Sequence, residues 1–332
     1  MSPIEIQGTR RRGPGIPDPA DWQTAFDSRD MRGTQPDRDT AEPVGAIRAW
    51  YEANTGHDAS LTYEATTATN GSTGLSTSWL NARLGNGRVS FADGRWLVER
   101  YIFPGQVRFQ TNNITLRNSQ LINAGGAEYG LQGRSLDGNP TGIVVEHCTL
   151  NGNYDDDFAS AAINFNIASE PNQITIRNCD IYGYRAGLYC FAGTTVEYNW
   201  VHDLNFTIDP VSGDRSHNTP ASIRGGNTTV RRNLLTDGNS SATSCYPEHS
   251  TFTGVLIEEN CFRLQASDDG VEVLHAMDRP FSIRQPGETR VLRGNLFYRG
   301  GNRGEGGGIT DGVRASMSEI SGNFDRMGEA VT

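Results

Sequence analysis

Apolar and polar residues alternate along this chain in short runs, and one arrangement of them returns eight times between residues 114 and 324. In each copy an aliphatic residue is followed three positions later by Asn, Ser or Cys, and then by another apolar residue. The copies centre on Ser119, Cys148, Cys179, Asn199, Asn233, Asn260, Asn295 and Asn323. Their aliphatic leads are Leu116, Val145, Ile176, Val196, Val230, Ile257, Leu292 and Ile320. The centres stand 29, 31, 20, 34, 27, 35 and 28 residues apart, an average of 204/7, or about 29. A loose repeat in that range marks a solenoid.

Each copy predicts a short strand. The alternation has a period of two, as at 175–178, and a small polar residue breaks it before a helical period can develop. One such turn cannot bury its Ile, Leu and Val alone, but stacked about 4.8 Å from the next turn it can. The Asn, Ser and Cys positions then fall above one another at a bend, where an amide can bond to the coils above and below.

Between these positions runs a second family of strands, with Leu131, Ile163, Leu188, Ile223, Cys245, Val271 and Ile309 expected to face inward. The residue after each then faces out, giving a stripe of Gln132, Asn164, Tyr189, Arg224, Tyr246, Glu272 and Thr310. The longest loops, 151–160, 203–220 and 237–253, are expected beside that stripe.

The eight-fold pattern resembles the asparagine ladder of right-handed parallel β-helix proteins, the pectate-lyase-like superfamily, over residues 88–325. The resemblance implies an all-β, single-stranded right-handed parallel β-helix. Around it the sequence divides into an N-terminal arm with a short helix (1–54), a linker or cap (55–87) and a C-terminal tail (326–332). Arg10, Arg11 and Arg12 precede a Gly- and Pro-rich run, and few apolar residues follow before position 40. Such a segment cannot bury a core of its own, so a partner surface is expected to order it. Residues 41–54 read as an amphipathic helix with Val44, Ile47, Trp50 and Tyr51 on one side.

Composition narrows the chemistry. The formal net charge is −10, which argues against nucleic acid or an anionic membrane as partner. All 29 basic residues are Arg, so Schiff-base chemistry and a Lys base are excluded. No run is apolar enough to span a bilayer and the N-terminus has no signal-peptide core, so membrane insertion is not expected and synthesis in a reducing cytoplasm is. The five cysteines lack zinc spacing and read as buried thiols, with Cys148 and Cys179 stacked and Cys190 inward.

The outward stripe carries the first candidate site. Sugar rings offer C–H faces to Tyr and hydroxyls to Asn, Gln, Arg and Glu, so Gln132, Asn164, Tyr189, Arg224, Tyr246 and Glu272 are expected to contact a repeating glycan. An ordinary solvated strand face is the bland alternative. Asp155, Asp156 and Asp157 offer carboxylates for Ca²⁺, but without EF-hand spacing such a run reads first as a turn.

Asp268 and Asp269 resemble the paired carboxylates of polygalacturonase-type β-helix hydrolases, where they serve as general acid and base. That family's Asn-Thr-Asp element is replaced here by Asn218, Thr219 and Pro220, and its Gly-His-Gly and Arg-Ile-Lys motifs are absent. His202, Asp203, His217 and Arg224 border the 203–220 loop, and a His beside carboxylates and Arg suits a base in a lyase or epimerase.

Resemblance to bacteriophage tail and tailspike-type β-helix proteins implies a virion protein, attached to other tail proteins through residues 1–54, presenting a glycan-contacting face and assembling as a homotrimer. A carbohydrate-active lyase, hydrolase or epimerase using Asp268, Asp269, His217 and Arg224 is the alternative, and a purely structural tail subunit is a third. No cofactor beyond Ca²⁺ is implied.

Overall fold

The computed structural model describes residues 45–67, 72–123, 128–133, 139–154, 161–166, 173–205, 218–238, 241–245, 253–264, 275–278, 289–298, 314 and 317–325. They form three sheets that the chain visits in turn, one strand of each per coil. The first sheet holds Ile114–Arg117, the second Gln120–Ile122 and the third Tyr129–Gln132, and the next coil repeats the visit with Ile143–Glu146, Thr149–Asn151 and Ala161–Asn164. Two sheets have 10 strands and the third has 8. Pairings between successive coils are parallel, and the antiparallel hairpin of Val89–Ala92 with Arg95–Glu99 closes one edge of the first sheet. The chain is an elongated parallel β-solenoid.

Period-two alternation fills its interior. Val98, Leu116, Val145, Ile176, Val196, Val230, Ile257 and Leu292 share one register position on the first sheet, all with 0 or 1% exposure. Phe103, Leu121, Leu150, Ile181, Val201, Leu235 and Phe262 do the same on the second. Each inward methyl thus meets its counterpart one coil away, so burial is shared between neighbours.

The predicted column stands at the corner between the first and second sheets. Asn233 Nδ2 lies 3.0 Å from Val196 O, 2.9 Å from Arg231 O and 2.9 Å from Asn260 Oδ1. Its own Oδ1 accepts from Asn199 N at 2.9 Å and Asn199 Nδ2 at 3.0 Å. Asn260, Asn295 and Asn323 continue the pattern. Where Cys replaces Asn, the thiol takes the amide's place: Cys148 Sγ donates to Leu116 O at 3.7 Å and Cys179 Sγ to Val145 O at 3.9 Å. Burial pushes the Cys179 thiol well up, keeping it a donor.

The residue before each ladder position turns the corner in the left-handed region. Asn118, His147, Asn178, Tyr198, Arg232 and Glu259 have φ between 45 and 59°, and Gly294 and Gly322 follow at 62 and 61°. Bulky residues seldom adopt that conformation. Here the backbone N–H of the turned residue donates to the next coil, as from Arg232 to Glu258 O at 3.1 Å.

One residue further back lies a column of charge. Glu99, Arg117, Glu146, Arg177, Glu197, Arg231, Glu258 and Arg293 occupy one register position on eight successive coils and alternate in sign without exception. Each Arg pairs with the Glu of the coil before: Arg117–Glu99 at 2.7 Å, Arg177–Glu146 at 2.6 Å, Arg231–Glu197 at 2.5 Å and Arg293–Glu258 at 2.8 Å.

From residue 45 onward the N-terminal segments pack on the solenoid. Helix α1, Gly45–Asn54, lies against the solenoid: the Tyr51 hydroxyl donates to Arg232 O, and Tyr51 is 3% exposed. It shelters a stretch of the second sheet whose outward residues Leu234 and Cys261 are both buried. The chain then runs back across the coils. Gly56 N donates to Asn178 O at 3.2 Å, His57 Nδ1 lies 2.9 Å from Thr149 Oγ1, and Glu64–Ala65 joins the second sheet beside Tyr101–Phe103. Ser72–Leu75 supplies an edge strand of the third sheet. Helix α2, Thr77–Asn81, follows with Ser76 as its cap, accepting from Trp79 N at 3.3 Å. Residues 1–44 lie outside the described residues.

Candidate functional site on the third sheet

On the third sheet Val107, Leu131, Ile163, Leu188 and Ala221 form one inward column, and Phe109, Phe165, Cys190 and Ile223 form the next. The outward residues between them run Arg108, Gln132, Asn164, Tyr189 and Ser222. This corrects the expected stripe in one respect. Leu188 pairs with Ala221 and not Ile223, so Ser222 stands beside Tyr189 and Arg224 falls two residues further along. The strand opposite Ser241–Cys245 is His275–Asp278, and the rung expected at 270–273 lies outside the described residues. Glu272 and Tyr246 lie outside the described residues, as do Asp155, Asp156, Asp157, His217, Asp268, Asp269 and Thr310. Most of the 151–160, 203–220 and 237–253 loops lie outside them too.

The shift brings Arg224 onto Tyr189. Its guanidinium carbon lies 3.5 Å from the Tyr189 ring centroid and 5.9 Å from that of Phe191, and its Nε donates to Ser222 Oγ at 3.3 Å. A guanidinium seated on a ring keeps its N–H donors in its own plane, the geometry that carboxylates and vicinal hydroxyls accept. Ser222 and Tyr129 were not anticipated. Tyr129 precedes Leu131 by two, so simple alternation turns it inward. Yet its hydroxyl donates to Glu128 Oε1 at 2.6 Å and is hydrogen-bonded by Asn164. Burial and the Glu128 carboxylate raise the Tyr129 phenol, keeping it protonated.

The amides of this face are covered. Gln132 is 1% exposed and Asn164 6%, whereas an open groove floor was expected. Gln132 Oε1 and Asn164 Oδ1 are buried and have no hydrogen-bond partner among the described residues. They sit in register on adjacent coils. An amide oxygen out of water and unmatched costs about 1–3 kcal/mol, so two in one column are a local cost that the fold carries.

His202 belongs elsewhere. It stands on the second sheet side, with Nε2 2.7 Å from Asp180 Oδ1 and Nδ1 2.7 Å from Asp203 Oδ2, and its ring stacks 3.8 Å from that of Trp200. Burial opposes its charge, but hydrogen bonds to Asp180 and Asp203 outweigh that and raise its pKa to about 9. With both nitrogens engaged it serves as a clamp between carboxylates and is not brought together with Arg224. Among the described residues no group of His, Cys, Asp and Glu could hold a metal ion, and no helix is long and apolar enough to cross a membrane.

Fold and face together define a class: an elongated parallel β-solenoid with one polar, aromatic flank. No family model, curated protein or solved structure matches this chain, so the class rests on its geometry.

Proposed function

We propose that this solenoid is a right-handed parallel β-helix that binds host-surface glycan along its third sheet and works as a bacteriophage tail-associated protein. The observation that carries the glycan reading is the Tyr189–Arg224 stack, partly exposed on the outer face of the third sheet. A pyranose supplies acceptors for the guanidinium and C–H faces for the ring. Repetition along the coils suits a repeating polymer.

The tail assignment draws on the resemblance of the ladder-bearing sequence to tailspike-type proteins and on the arm that residues 1–54 contribute. Its helix, Gly45–Asn54, is fastened to the solenoid through Tyr51. A load applied to the arm would therefore reach the coils. The carbohydrate-cleaving alternative depends on Asp268, Asp269 and His217, outside the described residues, and no geometry favours it.

Calorimetric titration of the full-length protein with host-wall polysaccharide fragments tests the reading. Saturable binding is expected, weakened about tenfold or more by Tyr189→Ala and by Arg224→Ala. Absence of binding, or release of new reducing ends, rejects it. Mass spectrometry of purified virions tests the tail assignment separately, which fails if the chain is missing from them.

A further inference from the structure

The first sheet presents a second surface. Its charge column holds four Glu and four Arg, so it is neutral in a chain whose net charge is −10. The outward column beside it runs from Leu97 through Thr115, Val144 and Leu256 to Val291, and no residue in it is charged. All of these are partly exposed, and the Arg side chains of the charge column are 26–50% exposed. Because each Arg already pairs with a Glu, covering the face would strand no lone charge.

The order of the charges selects a partner. Turn a second copy over by a two-fold axis along the strands, centred between the coils of Arg177 and Glu197. Arg177 then faces the other copy's Glu197, Glu146 its Arg231, Arg117 its Glu258 and Glu99 its Arg293. An even number of strictly alternating charges meets its own reverse with opposite signs throughout. Copies packed side by side with coils at equal height bring Glu to Glu and Arg to Arg instead.

We infer that the outer face of the first sheet binds a second copy of this chain, antiparallel, with the dyad between Arg177 and Glu197. The same charges oppose an in-register trimer through this face. Seven coil steps of about 4.8 Å by a strand of about 13 Å give roughly 440 Å² per copy. A standard interface buries about 800 Å² per partner, so the dimer is a weak one, with a dissociation constant on the order of tens of micromolar.

The test is sedimentation equilibrium on the full-length protein from about 5 to 500 µM, a range that brackets this affinity. Glu146→Arg with Arg177→Glu keeps the intrachain pair but sets like charges across the dyad, and should raise the dissociation constant about tenfold or more. Adding Glu197→Arg and Arg231→Glu restores opposite signs and should restore the dimer, while circular dichroism confirms that each variant folds. A short bismaleimide should join two copies carrying Thr115→Cys with Leu256→Cys, and not two copies carrying Thr115→Cys alone. A monomer at every concentration, a trimer, a dimer indifferent to the reversal, or cross-linking through Thr115→Cys alone would each overturn the inference.

Discussion

Two regions of this solenoid bury amide side chains in columns, and they treat them in opposite ways. At the corner between the first and second sheets, Asn199, Asn233, Asn260 and Asn295 each give and receive through the neighbouring coils, and each is 0% exposed. On the outer flank of the third sheet, Gln132 and Asn164 are nearly as deep, yet among the described residues each leaves its carbonyl oxygen unmatched. Burial is comparable, so the difference lies in geometry. At the corner a left-handed residue precedes every amide and turns it inward toward identical neighbours. On the flank the column changes residue type at each coil, from Arg108 to Gln132, Asn164, Tyr189 and Ser222. A column that repeats satisfies itself and holds the fold. A column that varies leaves polar groups unmatched.

Breaking the first column should cost most. Asn233→Leu removes the partner of the Asn199 N–H and leaves Val196 O without its side-chain donor, all away from water. Loss of about 3–5 kcal/mol is expected, read as a lowered urea midpoint; a loss under about 1 kcal/mol would mean that the ladder is decoration.

His202 sharpens the contrast, since it is satisfied by charge and not by repetition. Its folded pKa of about 9 lies above the ordinary value of 6.5. Its contribution is therefore full below pH 6.5 and lost as pH rises through about 9. With Asp203 largely exposed, that contribution is on the order of 2 kcal/mol. Unfolding midpoints from pH 6 to 10 should fall for the wild type and stay flatter for His202→Phe; parallel curves would show that the clamp does not hold.

The smallest effect on stability is expected at the flank. Gln132→Leu and Asn164→Leu remove unmatched oxygens, so each should change stability by no more than about 1 kcal/mol, and in the stabilising direction if the oxygen's penalty exceeds what the amide nitrogen contributes. A loss as large as that of Asn233→Leu would erase the distinction between the two columns.

Much of this was legible in the sequence, and unevenly so. The ladder could be read because Asn, Ser and Cys recur at a fixed distance from an aliphatic lead, and stacking makes that recurrence a contact. The Glu–Arg alternation was equally open, two residues before seven of the eight ladder positions, but it emerges only when successive copies are compared for sign. The third sheet resisted. Ala221, a small residue with no strong inward signature, takes the place that Ile223 seemed to claim, because the 203–220 loop hides the register. The docking of Tyr51 on Arg232 joins segments distant in sequence, which periodicity cannot pair.

The claim that this flank binds a ligand can be met head-on with the Tyr189→Ala, Arg224→Ala double variant. Its affinity for host-wall polysaccharide fragments, measured by calorimetry beside its unfolding midpoint, should drop about tenfold or more while the midpoint changes little. Unchanged affinity with an unchanged midpoint would contradict the account.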